Sequence, residues 1–224
     1  MGKYLVWDFP TRLFHWALVL CLAGSWITAE AGYDYMQYHL YCGYTALGLI
    51  LFRVLWGVVG TTYARFAQFV KSPLKAAAHL GEFISARPDH APGHSPIGGW
   101  ATLVLLSLVL VQAGSGMFVS DDIFWMGPYN AVVSSDTAGT LAYIHHINFN
   151  ILQGAVVLHL TAILWYRLRK GQNLVSAMLN GQQTLANPIE PLSPYLSRAL
   201  IFIGISIAAM TALVLLAPEP TYLF

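Results

Sequence analysis

Five stretches of the chain exclude polar residues for long enough to cross a bilayer. Residues 11–29, 37–59, 97–119, 143–168 and 195–217 are each predominantly apolar, and spanning takes roughly 20 such residues in a helix. Between them the pattern breaks in recognisable ways. In WDFPTRLFHW, Asp8 is a cap signal and Pro10 suits the first helical turn, while Trp7 and Trp16 suit the interfacial aromatic belt. SPLKAAAHLGEFISA (72–86) reads as a short amphipathic helix, capped by Ser72 with Pro73 at its first position and too short to span. Residues 87–99 form a Pro/Gly-rich loop, 120–142 the longest outer segment and 171–194 a polar, Pro-containing linker. There is no internal repeat.

Composition agrees with this pattern. The chain is 57% hydrophobic and only 9% charged, against about 25% charged in a soluble domain. The expected fold class is therefore an all-α integral membrane protein with no sizeable soluble part. TAEAG, after the first apolar run, resembles a cleavage site. His15 and Trp16 interrupt that run, and it is read as a retained span.

Charge then sets an orientation. With a cytoplasmic N-terminus, Lys3, Arg12, Arg53, Arg65, Lys71, Lys75, Arg87, Arg167, Arg169, Lys170 and Arg198 all fall on the cytoplasmic side or at its interface. The opposite segments carry Glu30, Asp34, Asp121, Asp122, Asp136 and Glu219 with no Lys or Arg. This satisfies the positive-inside rule, and an odd number of spans puts the C-terminus outside. Membrane lipid is the expected environment; nucleic acid is not an expected partner.

Histidines carry the candidate chemistry, because an ionisable residue inside a span is costly and marks a functional site by default. His79, His90 and His94 fall in the cytoplasmic segment and read as solvated surface. His15, His39, His145, His146 and His159 fall in spans. His145 and His159 are 14 residues apart, close to four turns, so they share a helix face about 21 Å apart; His146 is turned roughly 100° away. By depth, His39 pairs with His145 toward the outside and His15 with His159 toward the inside. Two bis-histidine pairs in a helical bundle are what two non-covalent b-type haems need.

Neighbouring residues fit that reading. Gly43, one turn below His39, would let a porphyrin plane approach the backbone. Arg53 lies on the His39 face at the inner depth and, with Arg12, is placed to neutralise inner propionates. Cys21 and Cys42 form no C-x-x-C-H, so covalent c-type haem attachment is excluded; buried thiols are preferred over a disulfide. A histidine-based metal or proton transporter would add carboxylates along its path, and no Asp or Glu lies within a predicted span. A non-redox membrane scaffold is the remaining alternative.

WDFPTRLFHW, HLYCG, RVLWGVVGTTYARF and the paired histidines of the fourth span resemble the bacterial cytochrome b561 family, which includes dihaem cytochrome b subunits of nickel–iron hydrogenases. The resemblance covers about residues 3–170. It implies a four-helix transmembrane bundle with two b haems on His15, His39, His145 and His159, helical phase favouring His145 over His146. Residues 171–194 would be a cytoplasmic linker and 195–224 an added span with a short outer tail. The resemblance also implies electron transfer between the membrane quinone pool and a periplasmic partner, either a c-type cytochrome or an oxidoreductase subunit. A superoxide-oxidising quinone reductase of the same fold is disfavoured, because six outer acids would repel an anionic substrate. A quinone headgroup could sit near Arg12, Arg53 or His159, or outside near Tyr33–Tyr41 or Trp125.

Overall fold

A computed structural model describes residues 1–85, 91–121 and 124–218; Arg87, His90, Asp122 and Glu219 lie outside the described residues. Five helices are long and apolar enough to cross a membrane: α1 (Phe9–Glu30), α2 (Met36–Val59), α6 (Pro96–Gly116), α7 (Ser135–Arg169) and α9 (Leu196–Leu215). Between them lie the short helices α3 (Phe66–Phe69), α4 (Pro73–Ala78), α5 (Leu80–Ile84) and α8 (Leu174–Asn180). The chain is an all-α membrane protein apart from one small sheet. Leu20, Ile27, Val58, Leu158 and Ile207 are each more than half exposed, as lipid-facing side chains must be when hydrocarbon is the solvent.

Local signals explain the boundaries. The segment expected at 72–86 folds as two short helices rather than one, with Ser72 accepting from the Lys75 amide and Pro73 at the first position. Helix α7 starts eight residues before the predicted apolar run. There Ser134 Oγ accepts from the Thr137 amide at 3.3 Å, and Asp136 in the first turn complements the helix dipole. Its 35 residues span about 52 Å at 1.5 Å per residue.

Residues 171–194 are more structured than a linker. They hold α8 and strand β2 (Gln182–Leu185), which pairs antiparallel with β1 (Gly2–Leu5), Gly2 opposite Leu185. Gly181 makes the join possible. Its φ of +82° is one that glycine tolerates, and a Cβ there would meet the Trp7 carbonyl oxygen at 2.6 Å.

The described chain forms two compact units, to each of which all five long helices contribute a segment. The first comprises residues 1–15, 53–105 and 155–202. Its core packs Val6, Trp7, Ala177 and Leu185 with Tyr4, Tyr63, Met178 and Ile189. Asp8, 1% exposed, ties the helix ends together: one oxygen accepts from the Thr11 amide at 2.7 Å, the other from Trp56 Nε1 at 3.0 Å and from the Thr61 hydroxyl. Arg198 donates to the last carbonyl of α2, at Val59, where a cation is favoured. Every described Lys and Arg belongs to this unit.

The second unit comprises residues 16–52, 106–154 and 203–224. Ala46, Ile50, Phe52, Val109, Met117 and Leu152 are its buried apolar residues, with Ser115, Asn148 and Ser206 the buried polar ones. Here α9 packs against α2, Met210 lying where a Cβ on Gly48 would sit, and Tyr129 donates its hydroxyl hydrogen to the Leu213 carbonyl at 2.7 Å.

Candidate functional site

The second unit brings His39 of α2 and His145 of α7 together edge to face. Their ring centroids lie 6.3 Å apart at 73°. The His39 Nδ1 is 2.8 Å from the carbonyl oxygen of Ser25 on α1. The His145 Nδ1 is 2.9 Å from the carbonyl oxygen of Gln112 on α6. A carbonyl can only accept, so each Nδ1 carries the hydrogen and each Nε2 keeps its lone pair. Two helices thus supply the imidazoles, and the other two fix their orientation.

Further contacts hold His145 in place. Gly116 lies against its ring, where a Cβ would meet Cε1 at 2.9 Å. The Gln112 side-chain amide lies 3.1 Å from His145 Nε2 and donates to its lone pair, so it would have to turn aside for iron to bind there. Asn148 in turn donates to the Gln112 side-chain oxygen at 2.7 Å and to the Leu108 carbonyl at 2.9 Å. His146, by contrast, is exposed, with its ring 5.9 Å from that of His145. A Cβ on Gly43 would meet nothing within 4 Å, so the space beside this backbone is open.

The first unit holds His15 of α1 and His159 of α7, both half-buried and within electrostatic reach of each other. Arg53 of α2 is only 2% exposed. Its guanidinium lies over the rings of Phe66 at 4.8 Å and Phe69 at 5.8 Å, and Nη1 is buried with no hydrogen-bond partner. Arg12 donates through Nη1 to the Leu179 carbonyl and lies 5.7 Å over the Phe9 ring, while its Nε is buried and unpartnered.

Of the histidines that read as solvated surface, His79 is buried and His94 half-buried. His79 is 9% exposed and its Nδ1 lies 2.7 Å from a Glu82 carboxylate oxygen. His94 stacks against Phe69 at 4.3 Å and meets Trp7 edge-on at 4.8 Å, with a buried, unpartnered Nδ1. Burial first, then the charges of Arg53 and His159, hold its pKa down at about 3, so the imidazole is neutral at physiological pH. His94 directly precedes Ser95, whose hydroxyl caps α6 by accepting from the Gly98 amide at 3.2 Å. The residue before a helix cap often packs inward, and the SP pair after His94 is the signal that could have revealed it.

The family model of prokaryotic cytochrome b561 matches residues 6–181. The chain belongs to that family. It is a multi-pass membrane cytochrome with b-type haem, working in electron transfer. Among similar proteins is the "probable Ni/Fe-hydrogenase 1 B-type cytochrome subunit" of Escherichia coli K12, 24% identical over 215 residues covering 81% of this chain and 91% of that protein. The "probable Ni/Fe-hydrogenase B-type cytochrome subunit" of Cupriavidus necator is also 24% identical, over 80% of this chain and 86% of its own length. No solved structure matches the chain.

The second unit's residues fit a b-type haem. His39 and His145, on two different helices with ring centroids 6.3 Å apart, would hold the iron of such a haem. Holding the other ring nitrogen with a carbonyl is the usual way to fix a ligating imidazole. In the first unit, the buried Nη1 of Arg53, unpartnered among the described residues, is the kind of donor a propionate needs.

Proposed function

We propose that this cytochrome carries two b haems, one on His39 and His145 and one on His15 and His159, and moves electrons between the quinone pool and a redox partner outside the cytoplasm. The observation that carries the reading is the His39–His145 pair, with rings 6.3 Å apart and both Nδ1 hydrogens given to carbonyls. The 14-residue spacing along α7 extends the same logic to His159, which His15 approaches in the first unit.

Haem iron supplies the one-electron chemistry. The protein's part is to fix its ligands, exclude water and set the potential through burial and hydrogen bonding. Ser25 and Gln112 hold the imidazoles of one site in the ligating tautomer, while Arg53 offers a buried positive charge at the other. Residues 1–170 are assigned to the dihaem bundle, 171–194 to the connecting segment and 195–224 to the added span. The confinement of the described Lys and Arg to the first unit supports an inner-membrane orientation with the N-terminus cytoplasmic and the C-terminus periplasmic.

Both relatives are named as hydrogenase B-type cytochrome subunits, which supports a periplasmic oxidoreductase as the partner. A basic c-type cytochrome is the second reading, supported by the exposed Glu30, Asp34 and Asp136. Reconstituted into vesicles and given a short-chain quinol, the protein should show two reducible b haems. Haems that accept electrons from dithionite but from no quinol would overturn the quinone link.

A further inference from the structure

Among the described residues Arg53 is a buried cation without a bonded anion. Asp8 is the carboxylate within its electrostatic reach, yet both Asp8 oxygens are taken by Thr11, Trp56 and Thr61. What the guanidinium touches instead is aromatic, Phe66 and Phe69. Cation–π contact offsets only part of the cost of burying a charge that is not paired. The site is electrostatically incomplete.

His94 shares it. Its ring lies against the same Phe69 that Arg53 covers, and its Nδ1, like Arg53 Nη1, is buried without a partner. Two orphaned nitrogens around one phenyl ring ask for a ligand with two acceptor oxygens. A carboxylate has that form, and its charge balances the guanidinium.

We propose that Arg53 and His94 together form a carboxylate-binding pocket, and that its occupant is a propionate of the haem assigned to His15 and His159. This rests on the two-haem reading. His94 stands within electrostatic reach of His159, and His159 within reach of His15, so the pocket adjoins that ligand pair. Arg53 supplies the charge and His94 a neutral N–H that aims the carboxylate. His94 is a positioning residue: it acts on the iron only through the propionate.

The test uses His94→Phe, which keeps a ring against Phe69 and Trp7 but removes the donor, and His94→Gln, which restores an N–H. Resonance Raman spectra of the purified protein read propionate bending modes directly, and a spectroelectrochemical titration reads each haem. His94→Phe should keep two haems, shift the propionate mode of the His15/His159 haem and lower its potential. The ferrous-to-ferric ratio should fall up to about tenfold at fixed potential, or 59 mV for one electron. His94→Gln should recover part of both effects. Propionate modes unchanged in His94→Phe, with two haems retained, would overturn the pocket alone, leaving Arg53 to a free anion, a lipid headgroup or Asp8. A shift confined to the His39/His145 haem would overturn it too. A wild-type protein with one haem would instead overturn the two-haem reading beneath it.

Discussion

The imidazole of His145 gives its Nδ1 hydrogen to the Gln112 carbonyl, while the side-chain amide of the same glutamine approaches its Nε2. One residue of α6 therefore touches both nitrogens of a candidate ligand on α7, and its amide would have to turn aside from Nε2 for iron to bind. Asn148, 6% exposed, steadies that glutamine through two hydrogen bonds. Asn148→Leu should leave two haems in place but loosen His145. Interhelical hydrogen bonds in membranes are worth about 0.6 kcal/mol each and at most about 1.7, so the loss should be about 1 kcal/mol. It would appear as a lower temperature for loss of the Soret band, and an unchanged temperature would show that the network does not hold the ligand.

Two glycines beside the same site should respond in opposite ways to a small side chain. At Gly116 a Cβ meets the His145 ring at 2.9 Å, whereas at Gly43 it meets nothing within 4 Å. Gly116→Ala should weaken or remove the His39/His145 haem while sparing the other. Gly43→Ala should fold with little strain, but Gly43→Leu should exclude that haem if the open space receives the porphyrin. Optical haem counts on the three variants check this, and a Gly43→Leu protein with two normal haems would place the ring elsewhere.

Asp8 should matter for stability more than its place near the N-terminus suggests. It accepts three hydrogen bonds and lies near the buried Arg53. Removing the acceptor leaves buried donors of Thr11, Trp56 and Thr61 unsatisfied, at about 1–3 kcal/mol each, so Asp8→Ala should destabilise the first unit by about 3 kcal/mol. Thermal unfolding should show this as early loss of the His15/His159 haem. Asp8→Asn should cost less, because its amide oxygen still accepts.

How much was legible in the sequence follows from the kind of signal each element carries. The spans were legible because burial in lipid demands apolar length, and observed helices begin and end within a few residues of the expected runs, apart from the early start of α7. That start was set by the Ser134 cap rather than by hydropathy. The β1–β2 pair was not legible: Gln182–Leu185 has no alternation strong enough to announce a strand, and it depends on Gly181 meeting Trp7. Helical phase placed His145 inward and His146 outward, and the structure has His146 exposed. His94 reads as surface because its surroundings in sequence are polar and loop-like, while the rings that half-bury it, Trp7 and Phe69, are distant in the chain.

Docking of a partner should depend on the acids that are free to meet it. Asp121 is committed to its own loop, accepting from the amides of Phe124 and Trp125 at 2.9 and 2.7 Å. Glu30, Asp34 and Asp136 are exposed. If a basic cytochrome docks here, Asp136→Asn and Asp34→Asn should slow its reduction. Added salt should do the same, since exposed charges are screened over about 8 Å at physiological ionic strength. Asp121→Asn should act mainly through the loop. A rate indifferent to salt and to these variants would favour a permanently bound oxidoreductase subunit.

Two haems on two histidine pairs is the central claim, and haem stoichiometry measures it most directly. A pyridine haemochrome count per polypeptide should give two for the purified protein and two for His146→Ala. It should give one for His39→Ala and one for His15→Ala, with the surviving haem differing between the last two. A count of two in both of those variants, or of one in the unaltered protein, would contradict the account.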